Sequence, residues 1–449
     1  MRFFFVFLLA SALVHAGADP SVRDLPSPAG AGSQGSNLAT APDGTLHLTW
    51  SAPATAAGER ALFLSTLAPD AVAWSAPRVI VSTPLLMENW ADFASLAVGT
   101  DGALTAQWFQ KLPGSTNAHG YDGWFSRSTD GGATWRKPAP LGHEFVALAP
   151  LSGGRTLAVW LESTRTGHDD HAPRPKRDPS ARYAPSMKLL ARLLAPDGAS
   201  LGEWTVDADV CTCCQNTVAV LPGDRVFVGY RGHASDEIRD NKFTLFDLAR
   251  RSWSASKTIH DDGWKIAACP VNGPAADARE DALAVAWFTA AGGVARVKAR
   301  LSLNAGHTLS APVTLDLGRP IGRLETVMLA DKSALFFWME TGDAQNAAGI
   351  YARRLFADGA LSAPKLMAGS VQARTSGFPR AAQRGNGQVV MAWTQTDTPT
   401  QVQTLEFDPA SLTRAAGAIS LNSLPRALPP ATLEFCIAPA FALHQVSPP

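Results

Sequence analysis

Charge is scarce in this chain, and neither sign is in excess. Asp, Glu, Lys and Arg together make up 17% of residues, and Lys plus Arg equals Asp plus Glu at 39 each. A neutral surface argues against an electrostatic nucleic-acid binder. No long amphipathic helix can be read anywhere. Apart from the N-terminus, no apolar run approaches the length of a bilayer span, so the sequence implies no membrane span and a soluble mature protein. Tyrosine is rare, with only four in 449 residues. Cysteine is rare too, and the five present are an odd number, so at least one lacks a partner within the chain.

The N-terminus carries what the rest lacks. Met1 and Arg2 precede the uncharged run 3–14 (FFFVFLLASALV), and small residues stand at Ala16 and Ala18. Positive start, short apolar run and small-residue exit make residues 1–18 a signal peptide. No cysteine follows the run to take a lipid. The expected location is periplasmic or secreted, with 19–449 as a single domain.

Short strands and tight turns fill that domain. Glycine and proline are frequent, at 37 and 32 residues, and they punctuate short apolar runs that end in an aromatic. One pattern recurs: a turn, alternating apolar residues, then an aromatic. It ends at Trp50, Trp108, Trp160, Tyr230, Trp287, Trp338 and Trp393, at spacings of 58, 52, 70, 57, 51 and 55 residues. A period near 50 residues marks a propeller. Each unit also holds a third and fourth apolar segment, as in ALFLSTL (61–67) and WSAPRVI (74–80). The reading is an all-β propeller of four-stranded antiparallel blades, seven in number, with six as the alternative. The units fall near 35–83, 90–142, 144–206, 214–260, 265–317, 322–369 and 374–421.

The turn between the third and fourth segments of unit two reads Ser128-Thr129-Asp130-Gly131-Gly132-Ala133-Thr134-Trp135. It matches the Asp-box pattern S-x-D-x-G-x-T-W. Its chemistry is structural: the carboxylate accepts backbone hydrogen bonds, glycine allows positive φ, and Trp135 packs between sheets. On this turn and the repeat, the chain resembles the sialidase or BNR-repeat propellers over nearly its whole mature length. The segments YRGHASDEIRD (230–240) and DGWKIAACPVNGP (262–274) also resemble secreted bacterial proteins labelled exo-α-sialidase. The resemblance implies Asp-box turns on one face and a site on the other. Two features depart from it. There is no Arg-Ile-Pro signature near the start, and seven units exceed the six blades of sialidases.

In a four-stranded meander, blade-to-blade loops share a face with the loops joining second and third strands. Polar and unusual residues concentrate there, in 87–93, 142–145, 207–216, 231–240, 260–274, 318–325, 373–380 and the long insert 161–186. Glycoside hydrolysis usually needs two carboxylates, or a Tyr nucleophile in sialidases. Candidate catalytic acids and bases are Glu237, Asp240, Asp92 and Glu144. Candidate ligand-binding residues are Arg231, Arg239, Arg323, Arg374, His260, Asp262 and Lys265, since arginine grips a sugar carboxylate by two bonds. Arg380 is an alternative to Arg374, and Tyr183 in the insert is a tyrosine within reach.

Cys211, Cys213 and Cys214 precede the first strand of unit four, and Cys269 holds the matching place in unit five. One reading is disulfide stapling, with Cys269 bonded to one of the first three and a second bridge reaching Cys436. The other is a thiolate site for copper or zinc, with His260 nearby. C-x-C-C lacks the paired C-x-x-C spacing of common zinc sites. No cofactor is otherwise implied. His168-Asp169-Asp170-His171 in the insert reads as a surface, lid or metal loop.

Three functions follow: a glycoside hydrolase acting on an exposed glycan, a non-catalytic propeller binding a glycan or envelope protein, and a cysteine-based metal or redox protein. The export reading has a direct check. Intact mass of the protein recovered from the periplasm or medium should correspond to a chain starting at Asp19; a retained residue 1 would contradict it.

Overall fold

A computed structural model describes residues 21–115, 120–164 and 187–415. The expected signal peptide 1–18, Tyr183, the His168–His171 stretch and Cys436 lie outside the described residues.

The period of about 50 residues becomes seven antiparallel sheets in a ring. Blade one is Gln34–Thr40, Leu46–Pro53, Arg60–Leu67 and Arg78–Thr83. Blades two and three start at Ser95 and Glu144, blade four at Thr217, five at Ala275, six at Pro320 and seven at Arg380. The expected propeller is present, with seven blades. Among the described residues no helix is long and apolar enough to cross a membrane.

The second strand of each blade carries the repeat aromatic. Sheets press on both of its faces, so it reads as a continuous apolar run rather than an alternating one. Ala282–Thr289 is buried at every position. Trp50, Trp108, Trp160, Tyr230, Trp287 and Trp338 are at most 1% exposed, and Trp393 is 9% exposed. Several carry their acceptor two residues on, on the same strand face. Trp160 Nε1 donates to Glu162 Oε2 (2.9 Å), and Trp338 Nε1 donates to Glu340 Oε2 (2.6 Å). A buried indole N–H thereby avoids an unpaired donor.

The last blade differs from its expected form. Its fourth strand is not in the 374–421 unit but comes from the other end of the described chain. Val22–Leu25 pairs antiparallel with Gln401–Phe407, Val22 opposite Phe407 and Leu25 opposite Thr404. Around this seam Gly32 N donates to Thr400 O, Thr404 Oγ1 to Leu25 O and Val402 N to Ser33 Oγ. Buried Glu406 pairs with both Arg23 and Arg384. Periodicity sees contiguous units; it does not see a strand borrowed from roughly 380 residues away.

The turn at Ser128–Trp135 is internally bonded. Gly132 N donates to Ser128 Oγ (2.8 Å), and Asp130 accepts from the backbone and hydroxyl of Thr134. Gly132 has φ +86°, and a Cβ there would come within 2.6 Å of Leu64 of blade one. A second turn repeats the pattern with asparagine: Gly306 N donates to Ser302 Oγ, and Thr308 N to Asn304 Oδ1.

Truncating Trp338, which is fully buried and stacked on Tyr351 (6.0 Å between centroids), removes a large core side chain and the donor to Glu340 Oε2. Trp338→Ala should cost about 3–5 kcal/mol in chemical denaturation; a change below about 1 kcal/mol would contradict this packing role.

Candidate functional site at the channel mouth

Seven blades point their first strands at one axis. The segments entering those strands therefore meet at one end of the channel. They line a cavity of about 200 Å³ with Asn37, Asp92, Phe145, Asn216, Glu325 and Arg380 among its walls. Every blade contributes. The face chosen from loop order is the one where this cavity lies.

The 87–93 segment lies across the ring. Ala91 O accepts from Gln215 Nε2 of the loop entering blade four (2.9 Å). The Trp90 ring sits under the Arg323 guanidinium of blade six (4.9 Å) and stacks on Phe378 of blade seven (6.2 Å). Asp92 is held in place by this segment and is 2% exposed. Its Oδ1 accepts from Phe145 N (2.9 Å), and its Oδ2 lies 3.0 Å from Tyr121 Oη. Phe145 has φ +53°, a left-handed backbone that aims this N–H at the carboxylate. Glu144, also 2% exposed, opens the first strand of blade three beside them. His143 follows the same wall, with Nε2 3.8 Å from Glu144 Oε1 and its ring 5.8 Å from that of Tyr121.

Burial dominates the electrostatics here. It pushes the Asp92 carboxyl well above the ordinary carboxylate range, and the neighbouring charge of Glu144 adds to this. Burial also pushes the Tyr121 phenol up, and both carboxylates reinforce it. Burial thus favours the neutral form of Asp92 beside a second carboxyl, a pairing suited to acid–base work. Across the cavity Arg380 Nε pairs with Glu325 Oε2 (2.8 Å), and burial raises the Glu325 carboxyl. Asn216 Oδ1 is buried with no hydrogen-bond partner among the described residues, while its amide donates to Phe145 O.

A second cluster sits where blades four and five meet. A turn at Thr212–Cys213 folds the cysteine run back on itself. The three sulfurs of Cys211, Cys213 and Cys214 lie within 4.8 Å of one another, and Cys211 Sγ is 3.6 Å from Cys214 Sγ. No pair among the four described cysteines is at bonding distance. Cys211 and Cys214 do form a C-x-x-C pair, which the C-x-C-C reading passed over. Exposed Cys269 Sγ lies 3.4 Å from Thr212 Oγ1. Hydrogen bonds from Cys213 and Cys214 hold the Cys211 thiol well below its usual value, and the cations of Arg231 and Arg239 add to this. A hydrogen bond from Cys213 brings Cys269 down to about 6, whereas burial pushes Cys214 up to about 12.

The remaining sequence candidates divide between these two places and the scaffold. Glu237 and Arg239 belong to the cysteine cluster. Arg239 donates to Glu237 Oε2 (2.8 Å) and to Cys211 Sγ (3.5 Å), and His233 bridges Glu237 and Asp209. Asp240 accepts from Gly263 N and Trp264 N and so anchors the 260–274 loop. Arg231 is encased by the carbonyls of Asn272, Arg239 and Phe288. Arg323 likewise donates to Ala373 O and Gly377 O, and burial lowers it to about 10. Asp262 accepts from Trp287 Nε1, Lys298 Nζ and His260 Nδ1. Lys265 is exposed, as is Arg374 on the short turn Arg374–Ser376. Tyr121, Arg380, Glu325 and Asn216 complete the channel site. Asn216, Glu325 and Arg380 had a sequence signal, their places in blade-to-blade loops; Tyr121 had none.

No protein-family model and no curated protein matches the sequence. Solved structures match its fold. A protein of unknown function from Dyadobacter fermentans is 14% identical, with a TM-score of 0.44 over 87% of this chain and 100% of that one. The NanB sialidase of Streptococcus pneumoniae is 10% identical, with a TM-score of 0.40 over 88% and 71%. The α-L-arabinofuranosidase of Fusarium graminearum is 12% identical, with a TM-score of 0.46 over 87% and 98%.

The raised Asp92 carboxyl has a pH signature. A carboxyl whose folded pKa is raised favours the native state while protonated. That contribution is complete below about pH 4, the ordinary aspartate value, and is lost as pH rises through the folded value. Asp92→Asn should therefore lose less thermal stability than wild type as pH rises above about 4. Parallel melting curves for the two proteins would contradict the assignment.

Proposed function

We propose that the protein is an exported glycoside hydrolase that admits the terminal residue of a glycan into the channel-mouth cavity. The observation that carries this reading is the Asp92–Tyr121–Glu144 cluster, two carboxyls joined through one phenol, of which Asp92 lines a sugar-sized cavity. Asp92, whose burial favours the neutral carboxyl, serves as the acid for the leaving-group oxygen. Glu144 serves as the second carboxylate, and Tyr121 links them. The cavity has room for one sugar ring rather than a chain, which favours exo-action. Phe93, Phe145 and Phe378 offer apolar faces to a ring, and Asn216 Oδ1 offers a free acceptor to a hydroxyl. Among the described residues Arg380 is the one cavity-lining arginine, and its pairing with Glu325 favours a neutral sugar over an anionic one. Glu237 and Asp240 fall outside this role, because they hold Arg239 and the 260–274 loop.

A panel of fluorogenic glycosides, neutral and sialylated, tests the proposal. Wild type should turn over at least one member. Asp92→Asn and Glu144→Gln should each reduce kcat by about 100-fold or more, while Asp240→Asn acts on stability. Glycan binding without turnover by wild type would favour the non-catalytic binding propeller. Turnover unchanged in both variants would overturn the site.

A further inference from the structure

The cysteine cluster is not used by this chemistry, and its geometry is specific. Three sulfurs from one four-residue run converge within 4.8 Å of one another, and a fourth comes from the next blade's loop. We propose that Cys211, Cys213 and Cys214 bind one thiophilic d10 metal ion, copper(I) or zinc(II), with Cys269 closing the coordination when the ion is zinc.

Spacing supports the claim first. Thiolates about 2.3 Å from a shared ion lie about 3.8 Å apart at tetrahedral angles and about 4.0 Å apart in a trigonal plane. Cys211 and Cys214 stand at 3.6 Å, already at that separation. A disulfide would need about 2.05 Å. The turn at Thr212–Cys213 produces this convergence; an extended C-x-C-C run would send neighbouring sulfurs to opposite sides.

The surroundings support it second. Binding ions through three or four thiolates leaves net negative charge in a mostly buried place. Arg239 is 3% exposed and donates Nη1–H to Cys211 Sγ, the outer contact that orients and neutralises a thiolate ligand. Its other nitrogen is fixed by Glu237, which His233 holds in turn against Asp209. Arg231, encased beneath, places a second cation nearby. Glu237 and Arg239 thus act as positioning residues. Cys269 is exposed, so an ion has a route in past it. Soft thiolate sets select copper(I) and zinc over magnesium, calcium or manganese.

The two ions differ in ligand count, which makes the test discriminating. Full-length protein is reduced, stripped with chelators without air and titrated with zinc chloride or with copper(I) against a chromophoric competitor. Free thiols are counted with a disulfide reagent. Wild type should bind one ion per chain and lose the reactivity of at least three thiols. Cys436→Ser should bind as wild type. Cys269→Ser should keep copper(I) if copper is the ion and lose tight binding if it is zinc; either result supports the site. Cys214→Ser should lose both, with circular dichroism showing whether it folds. Arg239→Gln, which leaves every ligand in place, should weaken binding about 10–100-fold. The proposal is overturned if wild type binds neither ion, if mass shows the four cysteines oxidised in native protein and resistant to mild reduction, or if folded Cys214→Ser binds like wild type.

Discussion

Closure of the ring is the constraint on which the working face depends. Val22–Leu25 completes the seventh blade by hydrogen-bonding to Gln401–Phe407, and Glu406 secures the seam between Arg23 and Arg384. Without closure the seven first strands would not be bound to a common axis. The segments entering them would then have no shared cavity. Chain ends far apart in sequence thus fix the position of Asp92, Asn216 and Arg380, which lie on three different blades.

Arginine gives the second lesson in how this scaffold is built. Arg231 and Arg323 look in sequence like anion-binding residues on a loop-rich face. In the structure each spends its donors on the backbone carbonyls of the neighbouring blade's loop and lays its plane over a tryptophan. Irregular loops expose carbonyls with no strand partner, and a buried guanidinium satisfies several at once. The same residue type therefore serves rigidity rather than recognition. A sequence gives the presence of an arginine but not which way its fork points.

The architecture was legible because it repeats. An aromatic at the end of each second strand recurs seven times, and each recurrence proved to be a buried strand. Strand order alone also sorts the loops, and the sorting grouped Asp92 and Glu144, which lie close enough in the structure to act on each other electrostatically. Three things were hidden. Tyr121, on the third strand of blade two, meets Asp92 of the segment entering that blade only once the blade is folded, Glu325 meets Arg380 across the seam between blades six and seven, and the N-terminal strand joins a blade that ends the described chain. The convergence of the cysteine run was hidden for a local reason: a turn at Thr212–Cys213 brings together sulfurs that an extended strand would separate. The Ser302–Thr308 turn escaped notice because asparagine replaces the aspartate while keeping the same hydrogen bonds.

The central claim is that the channel mouth receives a sugar. A crystal structure of the protein soaked with an oligosaccharide that it binds or cleaves tests this most directly. The account predicts a terminal sugar in the cavity, with hydroxyls within hydrogen-bonding distance of Asp92 and Asn216 and a ring face against phenylalanine. A sugar bound on the opposite face or the outer rim, with the cavity holding only water, would contradict it.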